Sequence, residues 1–424
     1  MIRKAAETRT VEEHRSAVLR LLEACRAGAP ERINTVDLLS AAGKILAADV
    51  HAPGSLPPFD NSQMDGYAVR TADLGPDAGQ SVPLRVSEPI PAGIAAPALD
   101  PGSAAPIMTG AMLPAGADAV VPIERAVPDT FFADRDRPGA TVSFPSGALP
   151  GDYIRTAGSD IRAGTVALPA GTRLGALQLG LLAALGVPAI PIRAPFRVLL
   201  LSTGDEVVEP GGALAPGQIH DANSTLLAVS LREAGAEVVR ARILADSPDR
   251  FLAQLREDLA RHPVDLVLTS GGISMGAYEV VRLALAAEGV QFLPVAMQPG
   301  GPQALGSVDG VPFLGFPGNP VSSVVSFEMF LRPALGALTG IPAPRPELPA
   351  LLTADVHSPA AKHQVRRGRY TPSAEPGTAG RVELIGGPSS HLVHAMASSN
   401  ALVHVPAGVQ SLPAGSEVTV WLLN

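Results

Sequence analysis

Apolar and polar positions change period several times along the chain. Thr10 with Glu13 forms a capping-box pattern, and Val11, Val18, Leu21, Leu22 and Cys25 recur behind it at helical spacing. A helix ending at Gly28 is expected there, with Cys25 in its buried stripe. A second short helix is expected near Val36 to Ala42. From His51 to Asp160, short Val/Ile-rich runs alternate with Pro/Gly turns, the texture of an all-β insertion. Helical spacing resumes over Leu174 to Leu185. The uncharged run from Leu174 to Ile192 is broken by Gly186, Pro188 and Pro191, so a buried helix fits it better than a membrane span.

From Phe196 to about Gly340, short β-branched runs (FRVLLL, AEVVRARI, DLVLT) alternate with helical patterns (LLAVSLREAG, DRFLAQLREDLARH, YEVVRLALAAEG). Such alternation predicts a mostly parallel sheet with helices on both faces. Residues 341–424 return to short strands and turns. The expected fold class is multidomain α/β plus β, with a central mostly parallel α/β sheet domain at 196–340 and an inserted all-β domain at 51–160. A discontinuous helical linker is expected from 1–50 plus 161–195, and a small C-terminal β domain at 341–424.

Composition narrows the function. A chain of 424 residues with 46% hydrophobic content has material for several cores. A net charge of -8 and 4% aromatic residues argue against nucleic acid as a partner. The single cysteine excludes an intrachain disulfide and a thiolate metal cluster. The N-terminus, MIRKAAETRT, lacks the apolar run of a secretory leader. No membrane partner is expected, and the expected location is cytoplasmic.

Three loops fall at strand ends of the α/β part: Ser202-Thr203-Gly204-Asp205-Glu206, Thr269-Ser270-Gly271-Gly272, and Gly315-Phe316-Pro317-Gly318-Asn319-Pro320. Glycines there let backbone N–H groups approach an anion, and a following helix adds donors. Each loop alone also reads as a tight turn; three at one sheet edge point to a phosphate-bearing ligand. Asp205, Glu206, Asp221, Asp246 and Glu279 lie beside them, as hard oxygen ligands for Mg²⁺ or as helix caps, with Asp246 before SPDRF a natural N-cap. Gly272-Ile273-Ser274-Met275-Gly276 matches a hydrolase elbow. However, Ser274 falls well past the strand end and no Asp-then-His series follows in that domain. His391 and His394, read on a strand, point to opposite faces and are structural or surface histidines.

These loops, in this order, resemble the molybdopterin molybdenumtransferase family, which includes gephyrin-like catalytic domains. Pro58-Phe59-Asp60-Asn61-Ser62-Gln63-Met64-Asp65-Gly66-Tyr67-Ala68-Val69 and Ile107-Met108-Thr109-Gly110-Ala111 are similar to family signatures, as are Gly158-Ser159-Asp160-Ile161, STGDE, TSGGIS and GFPGNPVS. The likeness spans nearly the whole chain.

The resemblance implies an elongated homodimer, with the helical linker serving dimerisation and the cleft shared between subunits. The implied reaction inserts molybdate into adenylylated molybdopterin and releases AMP, with a divalent cation, Mg²⁺, as cofactor. An upstream adenylyltransferase and acceptor molybdoenzymes are the implied further partners. Carried over residue by residue, the catalytic positions are Asp60, Thr109, Asp160, Asp246 and Glu279. The substrate-binding positions are Glu206, Asp221, Ser270, Gly271, Gly272, Pro317, Gly318, Asn319 and Pro320. Metal falls to Asp246, Glu279 and Glu206, with Glu279 standing for a more usual Asp. Molybdate falls to Arg367, Ser390 and Gln298.

A guanidinium fork and a hydroxyl suit a tetrahedral dianion. The competing reading of Arg366, Arg367 and Arg369 is a solvated basic edge strand. The chain departs from the family where many members carry two lysines: Gln298 and Gly301 stand there. That departure admits a second reading, a pterin-binding scaffold with weakened catalysis.

Overall fold

The computed structural model describes residues 8–27, 30–75, 79–131, 140–244, 247–274 and 279–423. The chain divides into two compact units, one of Met1–Asn34 with Arg193–Asn424 and one of Thr35–Ile192.

In the first unit, α1 (Val11–Arg26) begins at the expected capping box: Thr10 Oγ1 accepts from Glu13 N and a Glu13 carboxylate oxygen accepts from Thr10 N. Its buried stripe is Val11, His14, Val18 and Leu22. Cys25, expected in that stripe, is exposed, because the last turn carries it past the packed surface. The helix ends at Arg26, and Gly28 lies outside the described residues.

An α/β layer follows, with β1 (Arg197–Thr203), α2 (Ala222–Glu233), β2 (Glu237–Leu244), α3 (Pro248–Arg261), β3 (Leu266–Ser270), α4 (Val280–Leu285), β4 (Gln291–Pro294), β5 (Pro302–Val308) and β6 (Val311–Phe316). The sheet order is β2-β1-β3-β6-β5-β4. The β2/β1, β1/β3 and β3/β6 pairs are parallel, and the last two pairs are antiparallel.

Alternation within β1 explains the layering. Val198 and Leu200 pack with Val11, Leu227, Leu231 and Phe330 on one face, while Leu199 and Leu201 pack with Phe251, Leu255, Val281 and Leu285 on the other. Each such fully buried aliphatic side chain contributes about 1.5–3 kcal/mol.

The long helical run at the sheet's end comprises α5 (Pro320–Ser326), a π-helical stretch Phe327–Leu331 and α6 (Arg332–Thr339). Among the described residues it is the one run long and apolar enough to cross a membrane, and 72% of its most apolar window is buried inside the protein. Buried Glu328 on this run accepts from Arg345 Nε at 2.9 Å and Nη2 at 2.8 Å, fastening the chain where it leaves for the C-terminal sheet.

That sheet closes on itself. β7 (Glu347–Leu352), β8 (His363–Thr371), β9 (Gly380–Leu384), β10 (Ala401–Val405) and β11 (Glu417–Leu422) pair in the order β8-β9-β7-β11-β10, and β10 pairs back to β8. Closure leaves no open edge among these strands. The strand Met297–Gln298 adds in parallel to the start of β8.

The second unit carries a five-stranded sheet in the order Ala119–Pro122, Gly66–Val69, Ser103–Ile107, Ser81–Val86 and Thr141–Pro145. Its core includes Tyr67 against Phe144, with ring centroids 5.1 Å apart. Gly66 is fixed by a close approach, since a Cβ there would sit 2.2 Å from the Val121 carbonyl oxygen. The helix Ala176–Ala184 ends just before Gly186, as expected, but it is not the buried helix that the apolar run suggested. Of its residues only Leu182 is buried, and Leu177 is 85% exposed, because the helix packs one side on a small core and leaves the other open.

The short helix expected at Val36 to Ala42 is absent. Ile33–Asp37 is a strand, and consecutive turns follow to Gly43. Asp37 Oδ1 accepts from Ser40 N at 3.0 Å, so a side chain-to-backbone turn displaces the helix that the spacing suggested.

Candidate active site

Because β1, β3 and β6 run parallel, their carboxyl ends and the loops after them converge on one edge of the sheet. There the first unit holds a cleft of about 1050 Å³. Thr203, Glu206, Ser270, Gly271, Gly272, Pro317, Gly318, Asn319 and Pro320 line its sheet side, and Gln298, Ser389, Ser390 and His391 the other. Of the residues expected to bind substrate, all of Glu206, Asp221, Ser270, Gly271, Gly272, Pro317, Gly318, Asn319 and Pro320 lie on this one cleft. Gly272 has φ +67°, and a Cβ there would meet Val281 Cγ2 at 2.7 Å and Thr203 Oγ1 at 2.8 Å, so no larger residue fits the turn.

Three carboxylates face the same space. Glu206 folds back over Gly204, whose Cβ, if present, would lie 2.7 Å from Glu206 Oε2. Asp221 caps α2, accepting from Ser224 N at 3.0 Å and Ser224 Oγ at 2.5 Å. Glu279 occupies the N-cap position of α4 without a side-chain cap bond. Asp246 lies outside the described residues. The N-cap position of α3 falls on Ser247, which makes no side-chain cap bond. Among the described residues, no group of three or more His, Cys, Asp or Glu side chains is clustered to hold a metal by itself. Met275 and Gly276 of the elbow pattern lie outside the described residues as well, while Ser274 lines the cleft four residues beyond the end of β3.

No Lys or Arg lines the cleft among the described residues. Arg367 is only 2% exposed, with Nη1 donating to the Ser389 carbonyl at 3.1 Å and Nη2 to that of Gly387. Arg366 Nη2 donates to the Gly386 carbonyl at 3.2 Å. Burial lowers the proton affinity of both, and in Arg367 the neighbouring Arg366 charge lowers it further. The pair therefore stands behind the loop that carries Ser390. β8 is flanked by β9 and β10, so neither arginine sits on a solvated edge strand.

Ser390 reaches the cleft, and its carbonyl accepts from Val321 N at 3.1 Å. Gln298 Oε1 accepts from Gln364 Nε2 at 2.8 Å, which leaves the Gln298 amide hydrogens for another partner. His391 lies in a turn and His394 in the short helix Val393–Ala397, not on the strand expected; both are surface residues, and His391 lines the cleft.

In the second unit, Asp60 Oδ1 accepts from Ala157 N at 2.7 Å, which ties Asp60 to the loop that carries Asp160. Thr109 donates to Asp65 Oδ1 twice, from Oγ1 and from N, each at 2.7 Å. The Thr109 hydroxyl bond, then its N–H, holds the Asp65 carboxyl below the usual carboxylate range.

The sequence reading gave Asp65 no role, and the same is true of Asn223, whose Nδ2 reaches both Ser270 Oγ and the Gly318 carbonyl. The available signal for Asn223 was a weak helix former placed just after an N-cap aspartate.

Comparison with known proteins accords with this arrangement. The profile of the MoeA N-terminal region (domain I and II) matches residues 9–186. That of a "probable molybdopterin binding domain" matches 199–337. That of the MoeA C-terminal region (domain IV) matches 349–423. The chain is 44% identical to molybdopterin molybdenumtransferase 2 of Mycobacterium tuberculosis, over 98% of this chain and 100% of that protein. It is 34% identical to the molybdopterin molybdenumtransferase of Haemophilus influenzae, over 98% of each. The crystal structure of a molybdopterin biosynthesis MoeA protein from Pyrococcus horikoshii superposes with a TM-score of 0.77 at 29% identity, covering 99% of this chain and 100% of that one. With all three profiles in order and such identity over its full span, the chain belongs to the MoeA family of molybdopterin molybdenumtransferases.

Proposed function

We propose that the cleft of the first unit receives adenylylated molybdopterin and molybdate and releases AMP as molybdenum enters the pterin dithiolene. The chain is a transferase of molybdenum cofactor biosynthesis. The observation that carries the finer reading is the convergence of three glycine-bearing strand-end loops and three carboxylates on one cleft. The loops hold phosphate oxygens by backbone N–H groups. Molybdate, a substrate here, is received by the Gln298 amide and the Ser390 hydroxyl, with the charge of Arg367 behind them.

Carboxylates beside phosphates form the donor set that Mg²⁺ takes, one or two from protein and the rest from substrate and water. Glu206 and Glu279, with Asp246, would hold it, and when bound it neutralises charge on the phosphate oxygens. These residues position and screen anions that repel one another. Asp60, Thr109 and Asp160 serve the same reaction.

The protein acts as a homodimer. This reading is supported by an apolar groove of about 860 Å³ in the second unit, beside Leu39 and Leu177, which are 87% and 85% exposed. We assign domain limits of 1–50 plus 161–195, 51–160, 196–340 and 341–424, a cytoplasmic location, and handover from an upstream adenylyltransferase and to acceptor molybdoenzymes.

The test is AMP release from adenylylated molybdopterin with molybdate and Mg²⁺, followed by activation of an apo-molybdoenzyme. Tight pterin binding without AMP release would favour the scaffold reading, which is supported by the lack of Lys or Arg on the cleft wall among the described residues.

A further inference from the structure

Asn223 is the second residue of α2, and the helix itself does not call for it. Capping is done by Asp221, so Asn223 is not needed to satisfy the start of the helix. Its side chain is buried, at 8% exposure, and lies between two loops from neighbouring strands. Nδ2 donates to Ser270 Oγ at 2.7 Å, at the end of β3, and to the Gly318 carbonyl at 2.6 Å, just after β6. Ser270 Oγ lies 3.2 Å from Ser323 Oγ, which donates to the Pro317 carbonyl at 2.5 Å. A ring of polar contacts therefore joins α2, the 270–272 turn and the 317–319 turn.

The two turns touch through glycine: a Cβ at Gly318 would sit 3.4 Å from Gly271 Cα. Gly271 N donates to the Phe316 carbonyl at 3.0 Å, which joins the turns at their base, but with no side chains at Gly271 and Gly318 to interlock, packing does not register the tips of the turns against each other. Glycine backbone is also the most permissive in the chain. The amide of Asn223 offers two hydrogens from one atom, one for each turn; an ionised carboxylate or a leucine of similar size offers none.

We infer that Asn223 is a positioning residue for the transferase reaction. It clamps the 270–272 and 317–319 turns at one separation, so that their N–H groups meet the substrate phosphate in a single geometry. The inference rests on the reading of this cleft as the substrate site. Misplacement by about 1 Å costs on the order of 100-fold in rate, which is the scale a lost clamp should reach.

The experiment compares the full-length wild type with Asn223→Ala and Asn223→Asp. It follows kcat and KM for AMP release between pH 6 and 8, and inorganic pyrophosphate binding by calorimetry, all normalised to folded protein. Near pH 8 both variants should lose roughly 10- to 100-fold in kcat and bind pyrophosphate about tenfold more weakly. The aspartate variant alone should recover relative to wild type as pH falls, because burial beside the Gly318 carbonyl raises a carboxyl at this position toward the assay range, and once protonated it regains one donor.

A purely structural role would lower the melting temperature and leave the rate per folded molecule unchanged, and that result overturns the inference. So does an aspartate variant whose pH profile runs parallel to wild type. Should Asn223→Ala fail to fold, the pH recovery of the isosteric aspartate decides. If wild type binds pyrophosphate but releases no AMP, the transferase reading of the cleft falls, while weakened binding in the variants still supports the clamp. If wild type does not bind pyrophosphate, the turns hold no phosphate and the clamp falls too.

Discussion

Arg367 donates from Nη1 to the main-chain oxygen of Ser389 across 3.1 Å, and this bond sets the guanidinium behind the cleft wall. A trans peptide that turns its C=O toward a cation turns the following N–H the other way, so Ser390 N–H points away from Arg367. Lysine keeps the charge but cannot serve the two loop carbonyls with one planar fork. Arg367→Lys should therefore raise the half-saturating molybdate concentration about tenfold, roughly 1.4 kcal/mol, with little change in the KM for the pterin nucleotide. Gly301→Lys should lower that concentration. Gly301 is not among the positive-φ glycines, and a Cβ there would meet the Met297 and Val295 carbonyl oxygens at 3.4 Å, an ordinary contact. Molybdate titrations of AMP release in the three proteins would check both; unchanged values would move the oxyanion elsewhere.

Glu279 makes no cap bond, so its removal should spare the fold. Glu279→Ala is expected to lose on the order of 100-fold in AMP release and to need more Mg²⁺ for half-maximal rate, at an unchanged melting temperature. A fall in melting temperature at full activity would instead make Glu279 a structural residue.

His14 is buried against the Phe330 ring at a centroid distance of 4.6 Å, with Nδ1 unpartnered, and burial brings its pKa down to about 3. An unfolded histidine titrates near 6.5. Between those values the unfolded chain binds the extra proton, so folding stability falls as pH drops from about 6.5 toward 3, by about 1.4 kcal/mol per pH unit. His14→Phe should remove that much of the slope between pH 4 and 6 in denaturant titrations. An unaltered slope would show that His14 is protonated in the folded protein.

Leu39 and Leu177 expose apolar side chains beside a groove, as expected of a surface covered in an assembly. Leu39→Glu with Leu177→Glu should halve the mass seen by light scattering. Should the double variant keep the wild-type mass, the contact between copies lies on another surface.

Much of the first unit was legible in the chain. FRVLLL and DLVLT are continuous apolar runs because a parallel strand covered on both faces must be apolar at every position, and those runs became β1 and β3. Thr10 and Glu13 fixed the start of α1 because a capping box is local, satisfied within four residues. The strand-end loops could be located because a turn at the end of a parallel strand has only one sheet edge to face.

What failed depended on partners far away in sequence or on the limits of a packed surface. Cys25 continues the helical period of Leu22 yet lies in solvent, since periodicity does not record where the surface beneath a helix ends. Val36 to Ala42 has helical spacing, but a bond from Ser40 to Asp37 turns the chain.

The sequence by itself determined the order of elements, the family and the set of loops that gather at one sheet edge, because these rest on local period and on motif. Only the tertiary structure decided which groups face the cleft. It set Arg367 behind a loop and left Gln298 to line the wall. It engaged Thr109 with Asp65 and put Asn223 between Ser270 and Gly318. The direction of a side chain follows from backbone partners tens to hundreds of residues distant, and the chain's local pattern carries no term for them.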